Sequence, residues 1–144
     1  MATLPSPTPG LVLHYRYLWG HEHDRGLQEA RYARPCAIVL TVTAEPGDAP
    51  RVIVVPLTTR EPEPGREALA LPTGVRRALG LDADRSWVML DEANEFIWPG
   101  VDLEPNPEGR FDYGVLPPVL YERVRTHVIA LVRAGGFRRI WRDS

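Results

Sequence analysis

Two β-branched apolar runs, separated by a turn-rich stretch, constrain the fold of this chain more than any other feature. The runs are Ala37–Thr43 and Val52–Val55, and Ala44–Pro50 between them contains one glycine and two prolines. Apolar runs of this length bounded by Gly and Pro are typical of buried strands. The stretch therefore predicts a β-hairpin. Because the outer ends of a hairpin lie side by side, Arg34 and Thr58 are expected to meet at one edge of the sheet.

Length and composition favour one domain. The chain has 144 residues, of which 44% are hydrophobic and 25% charged, values that suit an ordinary globular core. Residues 1–9 are rich in proline and predict a flexible lead, so the single domain is expected to cover residues 10–144. The formal net charge of −2 neither requires nor excludes nucleic acid as a partner. Every one of the 17 basic residues is arginine, which is the better bidentate ligand for phosphate.

Several classes of protein are disfavoured at this stage. The single Cys36 excludes an internal disulfide and a Cys-rich metal site. No apolar run approaches the roughly 18 residues of a membrane span, and residues 1–10 lack the basic and apolar regions of a signal peptide. We therefore expect a cytoplasmic protein without a membrane segment.

The remaining pattern predicts a mainly β domain with two helices. We expect strands at 10–19, 68–71, 86–90 and 95–98, a long polar loop at 20–33, and no regular element at 99–114. Thr73 is a candidate cap for a short helix at 74–79 that ends at Gly80. Pro117 and Pro118 suit the first turn of a final helix. Its apolar positions recur at helical spacing, at Leu120, Val124, Val128 and Leu131. Short strands with two helices suggest a small, strongly curved barrel.

The predicted sheet edge has the chemistry of an anion site. A guanidinium from Arg34 and a hydroxyl from Thr58 would both donate hydrogen bonds to a phosphate. Thr59 offers a second hydroxyl, although strand alternation points it to the opposite face. His21 and His23 are candidate acid–base groups because unperturbed histidines titrate near neutral pH. The His-x-His pair lacks a convincingly spaced third ligand, so no metal site or other cofactor is predicted.

The C-terminal stretch from Arg133 to Arg142 mixes four arginines with Phe137 and Trp141. Cations interleaved with aromatic rings suit a single strand of RNA. The alternative is that favourable cations follow a helix C-terminus and the aromatic rings pack against the core.

In order and spacing, several short motifs resemble the MazF/PemK-type toxins of toxin–antitoxin pairs. They are Pro9-Gly10-Leu11-Val12 (PG-x-V), Glu29 followed by Arg34-Pro35 (E-x4-RP), the apolar run AIVL, the segment VPLTT that ends at Thr59, and a later strand that ends in Asp91. The similarity covers about residues 9–133.

This resemblance implies an SH3-like barrel with a C-terminal helix, usually homodimeric. It also implies a protein that cleaves single-stranded RNA without a metal and binds a cognate antitoxin. By position, Arg34 falls on the family's catalytic arginine, Thr58 on its catalytic threonine and Glu29 on an active-site glutamate. Asp91 falls on an acidic residue implicated in some members. The chain departs from the pattern at Gln28 and Met89, where some members carry a histidine and an arginine.

Three functions are therefore open at this stage. The first is an endoribonuclease toxin, in which Glu29 or one of the two histidines accepts the proton of the RNA 2′-hydroxyl. The second is a non-catalytic SH3-like module that binds RNA or a protein peptide. The third is a relative that poisons a protein target such as gyrase, against which the Glu29, Arg34 and Thr58 pattern argues.

Overall fold

The computed structural model describes residues 3–142, which form one mainly antiparallel sheet of eight strands with three helices. The strands are β1 (Leu11–Arg16), β2 (Ala33–Val42), β3 (Arg51–Thr58), β4 (Ala68–Ala70), β5 (Trp87–Met89), β6 (Glu92–Ile97), β7 (Asp112–Val115) and β8 (Arg138–Trp141). The helices are α1 (Gly20–Asp24), α2 (Thr73–Ala78) and α3 (Pro118–Ala134). The mainly β, α+β class predicted from the sequence is confirmed.

The predicted hairpin is present and forms the centre of the sheet. β2 and β3 pair antiparallel from Cys36 opposite Pro56 to Val42 opposite Arg51, with one irregularity between Ile38 and Leu40. β1 and then β7 extend the sheet on the β2 side. On the other side, β6 pairs with the first half of β3 and β5 with its end. β4 pairs with β5.

The sheet does not close into a barrel through its hydrogen-bonded ladders in the part of the chain that the structure describes. The expectation of a closed barrel is therefore wrong. β7 pairs with β1, and β4 pairs with β5, so each of these short strands ends a ladder. Short strands such as these leave little unpaired backbone at a sheet edge.

Both faces of the sheet are buried, because side chains alternate along the central strands. One face, here called the helix face, carries Val55, Leu57 and Val88 and is covered by α2 and α3. α3 begins at the predicted prolines and buries Leu120, Val124 and Val128, as its spacing indicated. The other face, here called the tyrosine face, carries a second cluster built around three aromatic residues: Tyr15, Tyr17 and Phe96.

Some local predictions were wrong. The stretch at 20–33 contains α1, and the stretch at 99–114 includes the start of β7. The arginine-rich C-terminal stretch, for which no element was predicted, forms β8. The first strand ends at Arg16, whereas residues up to Trp19 were predicted to belong to it. Pro72 stands at the N-cap of α2 without a side-chain cap, so Thr73 does not cap this helix.

The N-terminal stretch is described only from residue 3, so the first two residues of the predicted flexible lead lie outside the described part. The Thr41 hydroxyl donates a hydrogen bond of 2.8 Å to the Pro7 carbonyl, which attaches the end of the lead to β2. No helix between residues 3 and 142 is both long and apolar enough to cross a membrane.

Candidate functional site

After β1 the chain crosses the tyrosine face. This crossing segment (residues 17–20) positions residues of the candidate site. The backbone N–H of Leu18 donates to Asn94 Oδ1, and the Asn94 amide donates to the Leu18 carbonyl, both at 2.8 Å. Asn94 lies on β6, which is separated from β1 by β2 and β3. The crossing segment must therefore run over the starting end of β2, where Arg34 lies.

Arg34 lies on the tyrosine face, because it alternates along β2 with the buried Cys36 and Ile38 of that cluster. Its guanidinium carbon stands 5.0 Å from the centroid of the Trp19 ring, within the range of a cation–π contact. The ring of His21 lies nearly parallel to Trp19, with 6.2 Å between the ring centroids. The crossing segment thus supplies an aromatic support for the Arg34 side chain.

The Arg34 guanidinium makes no hydrogen bond and no ion pair with any residue between 3 and 142, and its Nε is buried without a partner. The other arginines of that range that are buried or half-buried all donate hydrogen bonds: Arg16, Arg76 and Arg142. A buried donor without an acceptor costs about 1–3 kcal/mol, and more when the group is charged. Arg34 is therefore suited to receive an anion from outside the chain.

Thr58 lies at the end of β3 on the same face as Arg34. The recorded ladder ends with Cys36 opposite Pro56, and the same register carried two residues further sets Arg34 opposite Thr58. Residues directly opposite in an antiparallel pair share a face and are close neighbours. The Thr58 hydroxyl oxygen accepts a bond of 3.2 Å from the Arg60 N–H. Its own proton remains available to a phosphate oxygen. Thr59 is exposed and follows the last residue of β3.

Glu29 lies in a different place from the one the sequence predicts. It is exposed and lines a cleft beside Arg16, Asp102 and Arg142. No hydrogen bond or ion pair in the described chain joins Glu29 to Arg34 or Thr58. His23 lines the same cleft, and Arg138 contacts its Nδ1 at 3.3 Å. Of the candidate proton acceptors, only His21 stands against the ring that supports Arg34.

Asp91 is held by Arg66. The guanidinium donates from Nε and Nη2 to the two Asp91 carboxylate oxygens at 2.7 and 2.8 Å, and from Nη2 to Glu92 at 3.0 Å. Burial alone would raise the pKa of Asp91, but the hydrogen bonds and charge of Arg66 outweigh it and lower that pKa. Asp91 is therefore an ionised partner of Arg66 and is poorly suited to donate a proton.

Glu92 anchors the start of α1 and was not singled out from the sequence. One of its carboxylate oxygens accepts from the Tyr17 hydroxyl at 3.0 Å and from the Gly20 N–H at 2.9 Å. Burial, followed by the charge of Glu92, raises the pKa of Tyr17 well above its usual value, so this hydroxyl stays a donor. Glu92 thereby fixes both ends of the crossing segment that carries Trp19.

Trp19 and Glu92 are the two site residues that sequence reasoning missed. A tryptophan immediately before a polar, glycine-containing stretch was the available signal for Trp19. Its contact with Arg34 depends on the path of the crossing segment, which no local pattern indicates. Between residues 3 and 142 no group of three or more His, Cys, Asp or Glu side chains is arranged to hold a metal ion.

A scan of protein-family models found no match to this chain, and neither did searches of curated proteins and of solved structures. The similarity to the toxin family therefore depends on the sequence motifs quoted above.

Proposed function

We propose that this protein is a metal-independent endoribonuclease of the MazF/PemK type that cleaves single-stranded RNA, with Arg34 in its active site. The observation that carries the proposal is the Arg34 guanidinium, which is half-buried, supported by Trp19 and without any acceptor in the described chain. A charged donor held in this way binds an anion without first breaking a bond inside the protein. The family motifs suggest that the anion is an RNA phosphate and that the sheet is a variant of the SH3-like toxin fold.

In the proposed reaction the 2′-hydroxyl oxygen of one ribose attacks its own 3′-phosphorus. The bond from phosphorus to the next 5′-oxygen breaks, leaving a 2′,3′-cyclic phosphate, and the departing 5′-oxygen takes a proton from water to become a 5′-hydroxyl. Arg34 stabilises the additional negative charge of the pentacoordinate transition state, and Thr58 donates to a phosphate oxygen. His21 accepts the 2′-hydroxyl proton, since it lies against the ring that supports Arg34.

The same proposal includes two protein partners. The toxin resemblance suggests a homodimer, which would give a longer groove for several nucleotides, and a cognate antitoxin that covers the groove. A short acidic, helix-forming gene directly upstream of this one would support the antitoxin.

The decisive experiment is cleavage of single-stranded RNA by the wild type and by Arg34→Ala. Loss of a preorganised donor to the transition state lowers the rate by about 100-fold or more. Arg77→Ala is a matched control, because Arg77 is an exposed arginine on α2 and the change removes the same charge. We expect the control to cleave at the wild-type rate, and cleavage to be the same with and without EDTA.

Two results would contradict this proposal. If Arg34→Ala cleaves as fast as the wild type, the active site lies elsewhere. If EDTA abolishes cleavage, the reaction needs a metal. Circular dichroism of both variants shows whether the fold is retained, which we expect because the Arg34 guanidinium makes no hydrogen bond in the described chain.

A second candidate is a non-catalytic RNA-binding module. The observation that favours it is the position of Glu29 in another cleft, which separates the sequence-predicted base from Arg34. Tight binding of single-stranded RNA by a wild type that does not cleave would select this candidate. In that case Arg34→Ala weakens RNA binding and has no rate to change.

A further inference from the structure

Trp87 on β5 lies in the same cross-strand row as the two residues of the proposed phosphate site. The ladder between β3 and β5 sets Trp87 directly opposite Thr58. The continued register of β2 and β3 sets Arg34 on the other side of Thr58. Residues directly opposite in antiparallel strands share a face, so all three lie on the tyrosine face. Trp87 is half-buried and belongs to neither apolar cluster of the described chain.

The Trp87 ring supports an arginine, as the Trp19 ring does. The guanidinium carbon of Arg85 stands 5.1 Å from the centroid of the Trp87 ring. The corresponding distance from Arg34 to Trp19 is 5.0 Å. A cation–π contact holds a guanidinium in place without an acceptor atom. Two guanidinium groups are therefore supported in the same way, one on each side of Thr58.

Arg85 has one acidic partner in the described chain, and the contact is weak. Its Nη1 atom lies 3.9 Å from Glu61 Oε1, and the two side chains are 69% and 70% exposed. Exposed ion pairs of this kind contribute little to stability and are screened by salt. Arg85 donates no hydrogen bond to any residue from 3 to 142. Its guanidinium can therefore bind an external anion at little cost.

The spacing of the row suits the phosphates of a nucleic-acid strand. Adjacent strands of a sheet lie about 4.8 Å apart, so the backbones of Arg34 and Trp87, two strands apart, are separated by about 10 Å. In a diphosphate a single oxygen joins the two phosphorus atoms, which makes the pair too compact to reach both arginines. Successive phosphates of a strand are separated by a whole sugar, and they can contact both.

We propose that Arg85, supported by Trp87, forms a second phosphate subsite, which binds an RNA phosphate that flanks the one at Arg34. The identity of the strand rests on the proposed function, whereas the anion subsite does not depend on cleavage. The phosphate at Arg85 does not react, so Arg85 contributes to binding in the ground state and the transition state alike. A dinucleotide with one phosphate would use only half of the row.

Binding of a fluorescein-labelled 2′-O-methyl octauridylate, measured by fluorescence anisotropy over a series of salt concentrations, tests the inference. This strand has no free 2′-hydroxyl, so it binds without being cleaved. Loss of one phosphate contact lowers the slope of log K against log salt by about 0.7 in magnitude for a single strand. We expect this change in Arg85→Ala, together with an affinity about 5-fold lower at fixed salt.

Arg77→Ala is the matched control. Arg77 is exposed on α2, which covers the other face of the sheet, and the change removes the same charge. We expect this control to bind the strand with the wild-type slope. An unchanged slope and affinity in Arg85→Ala, an equal change in Arg77→Ala, or no detectable binding by the wild type would overturn the inference. Pyrophosphate that competes as strongly as an unlabelled strand would identify a compact diphosphate as the ligand and would overturn it as well.

The cleavage assay separates this inference from the ribonuclease proposal. Arg85→Ala is expected to raise KM about 5-fold and to change kcat by much less, whereas Arg34→Ala lowers kcat. If the wild type does not cleave RNA but Arg85→Ala still lowers the salt slope, the ribonuclease proposal fails and the subsite stands. If cleavage depends on Arg34 but Arg85→Ala binds as the wild type does, only the subsite fails.

Discussion

Replacement of Asn94 by alanine should show how strongly the crossing segment is held. Asn94 is fully buried, and its amide satisfies both the N–H and the carbonyl of Leu18, which is 2% exposed. Each buried backbone group left without a partner costs about 1–3 kcal/mol, so the two together cost about 2–6 kcal/mol. Arg142 also loses one of its four acceptors. We expect the free energy of unfolding to fall by about 3 kcal/mol, since small shifts of the segment recover part of the loss.

Urea denaturation followed by circular dichroism measures this change. The comparison requires that the free energy of unfolding falls with urea concentration at the same slope in the wild type and in Asn94→Ala. Gln28→Ala removes an amide of similar size from an exposed position and should alter stability by less than about 0.5 kcal/mol. Asn94→Asp keeps the acceptor for the Leu18 N–H but removes the donor to the Leu18 carbonyl. It should also destabilise the protein.

A loss of less than about 1 kcal/mol in Asn94→Ala would contradict the view that Asn94 holds the crossing segment firmly. It would mean that the Leu18 backbone finds other partners at little cost. The crossing segment would then be too loosely held to position Trp19 against Arg34, and the support proposed for the guanidinium would have to come from elsewhere.

Two further predictions concern acid stability and assembly. Because Arg66 lowers the pKa of Asp91 in the folded protein, the pair contributes stability above the ordinary aspartate pKa of about 3.9 and loses it as pH falls through the lower folded value. Urea titrations between pH 6 and pH 3 should therefore show a smaller acid loss in Asp91→Asn than in the wild type; equal losses would contradict this. Light scattering at tens of micromolar, roughly the range in which ordinary dimers persist, should give the mass of a dimer. A monomer there would count against the homodimer.

The sequence predicted those parts of the fold that depend on local pattern. The hairpin was visible as two β-branched runs around a proline- and glycine-containing turn, and α3 as four apolar residues at helical spacing after two prolines. β8 was not predicted from the sequence because its segment is rich in arginine and contains few β-branched residues. Its strand conformation comes from pairing with β6, some 46 residues earlier (138 − 92).

The same distinction applies to the candidate site, where some features follow from local sequence pattern and others from long-range contacts. Strand register follows from the hairpin, so the common face of Arg34 and Thr58 was accessible from the sequence. The support from Trp19 and the separate position of Glu29 depend on how residues 17–32 cross the sheet. That path is set by buried hydrogen bonds to Asn94 and Glu92, which are long-range contacts that no periodicity indicates.

The pairing of β8 with β6 also bears on the order in which these elements can form during synthesis. Every other described element leaves the ribosome before β8. One edge of β6 therefore stays unpaired until residues 138–142 have been synthesised. Only then can Arg142 reach Asn94 and Asp102, and only then can Arg138 bind Asp24 on α1. A nascent chain therefore contains Arg34 long before it contains the finished cleft.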